Sequence, residues 1–412
     1  MMAKMSLGYR QVLACFMMLG AAGMIAATYS ILAVPLGDEY QPSRAVLMLS
    51  MTIFAGTSAA LSPIFGDVMD RISLRKLMLL GSVLLAIGYA AIGFTTQFWQ
   101  VLLIFGLFVA PANVLIGPVA MTVLLARWFD ETRGRAVGIA IAGVSAGGVL
   151  FPFIIQALLD AYDWRVAMQL LGLVILIWTL PAAMLIKDRP DPTGDVGEDA
   201  TPSGLDKSDM PAKQISVRQI LGDPAFWMIA ATVAIVTAGM KGMVTNLVPM
   251  AIDNGIDAGD AAHLISIFAG ASFIAKINFA ALSDRIGPRT LMAFALGGFG
   301  VGLCCLTQAQ AGYWVIALGV ALAGLFGGLM IPMESYLAPR IFGQSAVGRA
   351  MGLLAGVILL GLLCTPPLFG LIFDLTGTYS GIFWAFGGLS ILAVLWVPTL
   401  RLHPRDIQPE TD

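Results

Sequence analysis

Two lysines stand inside long apolar stretches of the sequence, where a charged side chain needs an explanation. Lys241 lies in VTAGMKGMVTN and Lys276 lies in ASFIAKINFA, each well inside a stretch long enough to cross a membrane. A charge at the centre of a spanning helix is unfavourable by about 2.5–3.5 kcal/mol on insertion scales, unless it faces protein or water. A bound anion offsets this desolvation, so we predict that Lys276, and secondarily Lys241, bind a carboxylate. Two alternatives stay open, in which the lysines bond to main-chain carbonyls or to Glu334.

A few other polar residues within the apolar stretches are candidates for the same site. Glu334, in GGLMIPMESYLAPR, is a candidate proton site or gate, or else half of a structural ion pair. Lys276 is a second candidate for a coupling proton, because a buried lysine changes its protonation state readily. Three neutral side chains are predicted to contact the substrate, with a hydrogen bond between helices as the alternative role for each: Tyr29, Asn113 and Asn246.

The composition shows what kind of chain carries these residues. It has 412 residues, of which 58% are hydrophobic and only 12% are charged, whereas roughly 25% of the residues in a soluble domain are charged. This predicts a polytopic membrane protein, surrounded by the lipid bilayer. The net charge of −2 gives no reason to expect nucleic acid, and the four cysteines lack metal-site spacing. We expect no cofactor and no metal.

One short motif resembles that of an enzyme. Gly143–Gly147, GVSAG, matches the nucleophile elbow of hydrolases. That elbow requires a strand-to-helix turn, whereas this motif lies in an apolar helical stretch. We therefore expect no enzymatic activity.

Twelve apolar segments are long enough to span a bilayer, which needs about 20 residues. They are predicted at 11–36, 45–66, 76–96, 98–126, 135–160, 164–187, 225–251, 261–282, 289–309, 312–339, 348–373 and 380–401. The fold class is therefore an all-α membrane protein, with six-helix bundles at 1–187 and 224–412 joined by a polar linker at 188–223. Of the 23 lysines and arginines, Arg44 and Arg165 lie in the loops of one side, Lys241 and Lys276 lie within segments, and the rest lie on the other side. The positive-inside rule makes that other side, with both termini, cytoplasmic.

The two halves of the chain resemble each other. Gly66–Lys76, GDVMDRISLRK, returns 214 residues later as AALSDRIGPRT, Ala280–Thr290, and Asp160 corresponds to Asp374. Parallel repeats of this kind are a transporter architecture, with the substrate held between the halves. Under the same offset Lys241 corresponds to an alanine and Lys276 to a serine, so both cations belong to the second half alone. One chain already holds a complete pathway, which predicts a monomer.

Charged residues cluster where the second and eighth segments end. We predict that they form weak ion pairs, of about 0–1 kcal/mol each, which close the cytoplasmic side and break when it opens. A purely topological role is the alternative. The predicted gate residues are Asp67, Asp70, Arg71, Arg75, Arg133, Asp284, Arg285 and Arg289.

Taken together, these features resemble the major facilitator superfamily: twelve segments in two halves, a D-R-x-G-like motif after segments 2 and 8, and a long central loop. Arg127–Gly148, RWFDETRGRAVGIAIAGVSAGG, is similar to a signature of the monocarboxylate transporter and oxalate/formate exchanger branch. In that branch the position of Lys276 holds an anion-binding cation, usually arginine. The chain departs from the branch at Ser272, where an aspartate would stand, and at Ile358, where the exchanger carries a second cation.

The resemblance implies a secondary transporter of the cytoplasmic (inner) membrane. It would move a small organic anion, with a monocarboxylate as the first candidate, by alternating access, through proton symport or anion exchange. A proton-coupled exporter of organic cations that uses Glu334 is one alternative. A membrane receptor that keeps the fold without transporting is another.

Overall fold

The computed structural model describes residues 7–129, 133–188, 217–330, 332–334, 336–337 and 347–399. These residues form twelve long helices: α1 (Leu7–Tyr40), α2 (Arg44–Arg71), α3 (Leu74–Ile92), α4 (Phe98–Trp128), α5 (Arg133–Ala161), α6 (Trp164–Leu185), α7 (Pro224–Asp253), α8 (Ala258–Ile286), α9 (Pro288–Leu306), α10 (Tyr313–Gly327), α11 (Val347–Thr376) and α12 (Ser380–Val394). A short helix, Val217–Leu221, precedes α7. The helices follow the predicted segments closely.

Within the described ranges, eleven helices are long and apolar enough to cross a membrane, the tenth as a span running from Tyr313 to Glu334. The twelfth helix is shorter than the predicted segment 380–401. It ends at Val394, and a 3₁₀ turn follows at Val397–Thr399. Pro398 in that turn has no N–H to donate, and it disfavours helical backbone in the residue before it.

Polar side chains fix where several helices begin. Asp223 accepts a hydrogen bond from the N–H of Ala225 and so caps α7, with Pro224 in the first turn. Asp257 caps α8 in the same way, and Ser43 caps α2. Each cap satisfies a main-chain donor that the first turn of a helix leaves free.

The helices pack in a pattern that repeats between the halves. In the first half α1 packs on α5, α3 on α6 and α2 on α4; in the second half α7 packs on α11, α9 on α12 and α8 on α10. Two equivalent seams join the halves, α2 against α11 and α8 against α5, and α1 also packs against α7. This arrangement is the one that the repeat in the sequence predicts.

Glycines bring α1 and α5 into main-chain contact. A methyl group on Gly23 would overlap the carbonyl oxygen of Val144, and one on Gly147 would overlap the carbonyl of Gly20. Small residues allow this close approach of helices in a membrane. Gly148 faces the other way, and a methyl group there would lie 3.0 Å from the Cβ of Ala269 on α8.

Candidate functional site

A cavity of about 330 Å³ lies between the two halves. Helices α1 and α5 form the wall from the first half, and α7, α8 and α11 form the wall from the second. Most of the lining is apolar, and among the described lining residues none is acidic. Its polar members are Ser145, Thr237, Lys241, Ser272 and Lys276.

Lys276 reaches across the cavity from α8 to the opposite half. Its ammonium donates a hydrogen bond to Ser145 Oγ on α5, with an N–O distance of 2.9 Å. Ser145 is buried, with 5% of its surface exposed. A main-chain carbonyl is the predicted alternative partner of this lysine. Among the described contacts its partner is the Ser145 hydroxyl instead.

Lys241 also meets the opposite half, through an aromatic ring. Its Nζ lies 5.7 Å from the ring centroid of Phe54 on α2, within the range where a ring face attracts a cation. Among the described residues, its ammonium has no hydrogen bond and no ion pair. Because both lysines line one apolar cavity without a described acid, an anion is the ligand that the local charge favours.

Glu334 does not belong to the lining of this cavity. Among the described residues it forms no ion pair with either lysine, so the predicted partnership with Glu334 is absent there. Ser272 and Ile358, the two positions where the sequence departs from the branch that it resembles, do line the cavity.

Tyr29 lies outside the cavity, contrary to our expectation. It is fully buried, its hydroxyl donates to the carbonyl oxygen of Leu47, and its ring packs edge-on against Phe105 at 5.1 Å. Ala27, two residues earlier, does line the cavity. Two residues correspond to about 200° around a helix, so Tyr29 points away from the site.

The two predicted asparagines are also absent from the lining. Asn246 donates to the carbonyl of Gly242 at 2.9 Å and accepts a hydrogen bond from the Tyr379 hydroxyl at 3.5 Å. Burial raises the pKa of Tyr379, which keeps that hydroxyl protonated as a donor. Asn113 lies on α4, a helix that contributes no residue to the lining, just before the break at Gly117.

Polar contacts close the end of the molecule where α2 begins, which we call the Arg44 end. The Arg44 guanidinium pairs with both Asp253 oxygens on α7, at 2.8 and 3.1 Å, and lies 5.2 Å from the ring centroid of Phe373. The carboxylate of Asp374, from the second half, accepts hydrogen bonds from the main-chain N–H groups of Arg44 and Ala45, each at 2.9 Å. These contacts join the two halves.

The sequence did not identify this cluster as a gate. One signal was available, because Arg44 is one of only two basic residues in the loops of its side. Its partners come from two other helices, α7 and α11, and their approach depends on how the halves are oriented. Spacing along the chain contains no such information.

The opposite end, where α2 finishes, is the Arg71 end. Four of the predicted gate residues, Arg71, Arg75, Arg285 and Arg289, are exposed there. The side chains of Asp67, Asp70, Arg133 and Asp284 lie outside the described part of the chain. Two nearby contacts are described: Arg127 donates to the carbonyl of Met69 at 2.8 Å, and the N–H of Arg75 donates to Asp188 at 3.1 Å.

Two equivalent halves of apolar helices around a central cavity define a multi-pass membrane transporter. The chain belongs to the Major Facilitator Superfamily, whose family model matches residues 13–253 and 229–412. A solved structure with the same fold is a bacterial homologue of the human lysosomal transporter Spinster, in an inward-facing and unoccupied conformation. It has a TM-score of 0.65 and 16% identity, and the match covers 97% of this chain and 95% of that one.

Curated relatives place the chain in the monocarboxylate transporter branch. Monocarboxylate transporter 11 of Homo sapiens is 30% identical over 338 residues, which is 80% of this chain and 69% of that protein. Monocarboxylate transporter 13 of Rattus norvegicus is 27% identical over 79% of this chain and 73% of its own length. The MFS-type transporter pynF of Aspergillus niger is 25% identical over 74% and 67%. The resemblance seen in the sequence is confirmed.

Proposed function

We propose that this transporter carries a small organic anion, first of all a monocarboxylate with an apolar body, by alternating access. The observation that supports this most is the pair of lysines in an otherwise apolar cavity between the halves. The carboxylate would bind Lys276 and Lys241, and the hydrocarbon part would contact small and aliphatic side chains on α1, α5 and α11. The names of two relatives, monocarboxylate transporters 11 and 13, support the same substrate class.

Two gates would alternate around this site. The contacts of Arg44 with Asp253 and Asp374 close one end in the structure. We propose that the predicted charges at the Arg71 end form their ion pairs when that end closes instead. Exposed pairs of about 0–1 kcal/mol are weak enough to break in every cycle.

We further propose that the Arg71 end faces the cytoplasm, because most lysines and arginines are assigned to that side. Both termini would then lie inside. We also propose a monomer of the inner membrane, because one chain holds both halves of a pathway. Two coupling modes are to be compared. One is proton symport, with Lys276 or Glu334 as the proton site, and the other is anion exchange. Uptake driven by a pH gradient, against uptake driven by internal anion, separates them.

An exporter of organic cations needs an acidic group where the cation binds. The described cavity lining has none, and Glu334 lies elsewhere. A receptor without transport activity would bind a carboxylate and fail to move it. Accumulation of label in proteoliposomes is therefore the measurement that distinguishes a transporter from a receptor.

The test measures binding and transport with one set of acids. Purified protein is screened by thermal shift against pyruvate, lactate and 4-methyl-2-oxopentanoate, because a ligand that binds the native state raises its apparent stability. The amide of the last acid serves as the uncharged control. Labelled 4-methyl-2-oxopentanoate is then used for uptake, since a 2-oxo acid is fully ionised at neutral pH and crosses lipid slowly by itself.

Lys276→Gln should weaken the binding of this acid by at least about thirtyfold, the effect of removing one partner from a buried charge pair. Lys76→Gln is the matched control, since Lys76 is exposed at the start of α3. It should bind the acid as the wild type does. Normal uptake by the Lys276→Gln variant would exclude the proposed site.

A further inference from the structure

Both site lysines are held by groups from the half of the protein to which they do not belong. Lys276 on α8 donates to Ser145 Oγ on α5, and Lys241 on α7 lies over the Phe54 ring on α2. The two cations come from the second half, and both of their described partners come from the first. No carboxylate takes part in either contact.

These contacts matter most when the cavity holds no substrate. An ammonium group enclosed in apolar surroundings without a partner is strongly disfavoured. A hydroxyl oxygen and an aromatic face each compensate part of that penalty, because both present negative charge density to the cation. In the empty cavity, Ser145 and Phe54 therefore offset part of the desolvation penalty of the lysines. In the loaded cavity, the bound anion offsets it.

We propose that Ser145 and Phe54 are positioning residues that let the transporter change conformation while it is empty. The inference rests on the proposed function, because it assumes that Lys276 and Lys241 bind the substrate carboxylate. With both contacts in place, the empty protein can enclose its lysines and return across the membrane. The consequence is net transport of the anion, rather than a strict exchange of one anion for another.

Removing the two contacts should affect the two modes of transport differently. A loaded cavity has a carboxylate beside the lysines, so the loss of Ser145 Oγ and the Phe54 ring matters less there. An empty cavity loses its only described compensation, so the return of the empty protein slows. Net efflux requires that return step, whereas exchange does not.

The test uses proteoliposomes preloaded with labelled 4-methyl-2-oxopentanoate. Efflux is measured into buffer without the acid, which reports net transport, and into buffer with unlabelled acid, which reports exchange. For the double variant Ser145→Ala with Phe54→Leu, we expect the ratio of exchange to net efflux to rise about thirtyfold, because a lost hydrogen bond to a charged group and a lost aromatic ring both contribute. Ser145→Ala alone should raise the ratio by about tenfold, and Phe54→Leu alone by about threefold.

Matched controls come from the same cavity. Ser272→Ala removes another lining hydroxyl, and Phe268→Leu removes an aromatic ring from the lining, but neither residue has a described contact with a lysine. Both should keep the wild-type ratio within about twofold, as expected when no contact to a charge is lost. The conservative variants Ser145→Thr and Phe54→Tyr keep the hydroxyl and the ring, and should keep the ratio as well.

The outcomes separate this inference from the proposed function. If wild-type protein moves none of the panel acids, both are overturned. If the wild type transports and the double variant exchanges with an unchanged ratio, this inference alone is overturned. Exchange activity also shows that a variant is folded. If the double variant shows no exchange, the two single variants are used instead. An unchanged ratio in both single variants overturns the inference.

Discussion

Replacing Asp374 by alanine should open the Arg44 end of the protein. In the structure its carboxylate accepts two main-chain hydrogen bonds at the start of α2, each 2.9 Å long, and it does so across the two halves. A side chain that caps a helix start contributes about 1 kcal/mol. A negative charge at that position adds about 0.3–1 kcal/mol through the helix dipole. The whole contact is therefore worth about 1–2 kcal/mol, or five- to thirtyfold in a conformational equilibrium.

The repeat supplies a matched control for this substitution. Asp160 corresponds to Asp374 under the offset of 214 residues, yet it accepts a hydrogen bond from Gln156 of its own helix, at 2.8 Å. Asp160→Ala removes the same chemical group from the equivalent position without breaking a described contact between the halves. It should shift the equilibrium by less than about twofold, as expected for a surface substitution.

Distances between spin labels measure the two populations. One pair, at Tyr162 and Thr378, reports the Arg44 end, and a second pair, at Lys76 and Thr290, reports the Arg71 end; all four residues are exposed. The native cysteines at 304, 305 and 364 are first replaced by serine. Asp374→Ala should raise the ratio of molecules with a longer first distance and a shorter second distance by about five- to thirtyfold. Equal behaviour of the two alanine variants would refute the argument that the hydrogen bonds of Asp374 hold the Arg44 end closed.

Two further predictions concern packing and hydrogen bonding. Ser30→Ala removes the acceptor for the N–H of Val248, a buried hydrogen bond of 3.1 Å between the halves. It should shift the conformational equilibrium toward an open Arg44 end by about 1 kcal/mol, measured by the same spin-label distances. Gly23→Ala should lower the unfolding temperature in detergent, because overlap with the main chain of α5 costs about 1–3 kcal/mol. Gly66→Ala, where an added methyl group meets nothing within 4 Å, should leave that temperature unchanged or raise it.

The sequence predicted the fold well because the membrane restricts the possible structures. Every main-chain group in the bilayer needs an internal partner, so each long apolar segment must become a helix. The lysines could be identified for a related reason, since a charge in such a segment is rare and functional by default. Both appear in the lining of the one central cavity described between the halves.

The neutral site residues could not be chosen by depth alone. Tyr29 and Asn246 lie on the right helices, α1 and α7, but neither lines the cavity. Tyr29 bonds to α2, and Asn246 bonds to its own helix and to Tyr379. Counting helical phase from Lys241 would have placed Asn246 about 140° away from it. Ser145 and Phe54 were missed as lysine partners because each pairing joins distant helices from opposite halves.

Main-chain contact between α1 and α5 also bears on how selectivity can evolve. The two helices touch through glycines, and together they form the wall of the cavity that faces the lysines. Its lining consists of small residues such as Ala26 and Ala27, which set the room left for the substrate. Larger side chains there would shrink the cavity without altering its charge. A duplicated gene could thus change the size of its substrate by single mutations on one half, while the half that carries the lysines stays unchanged.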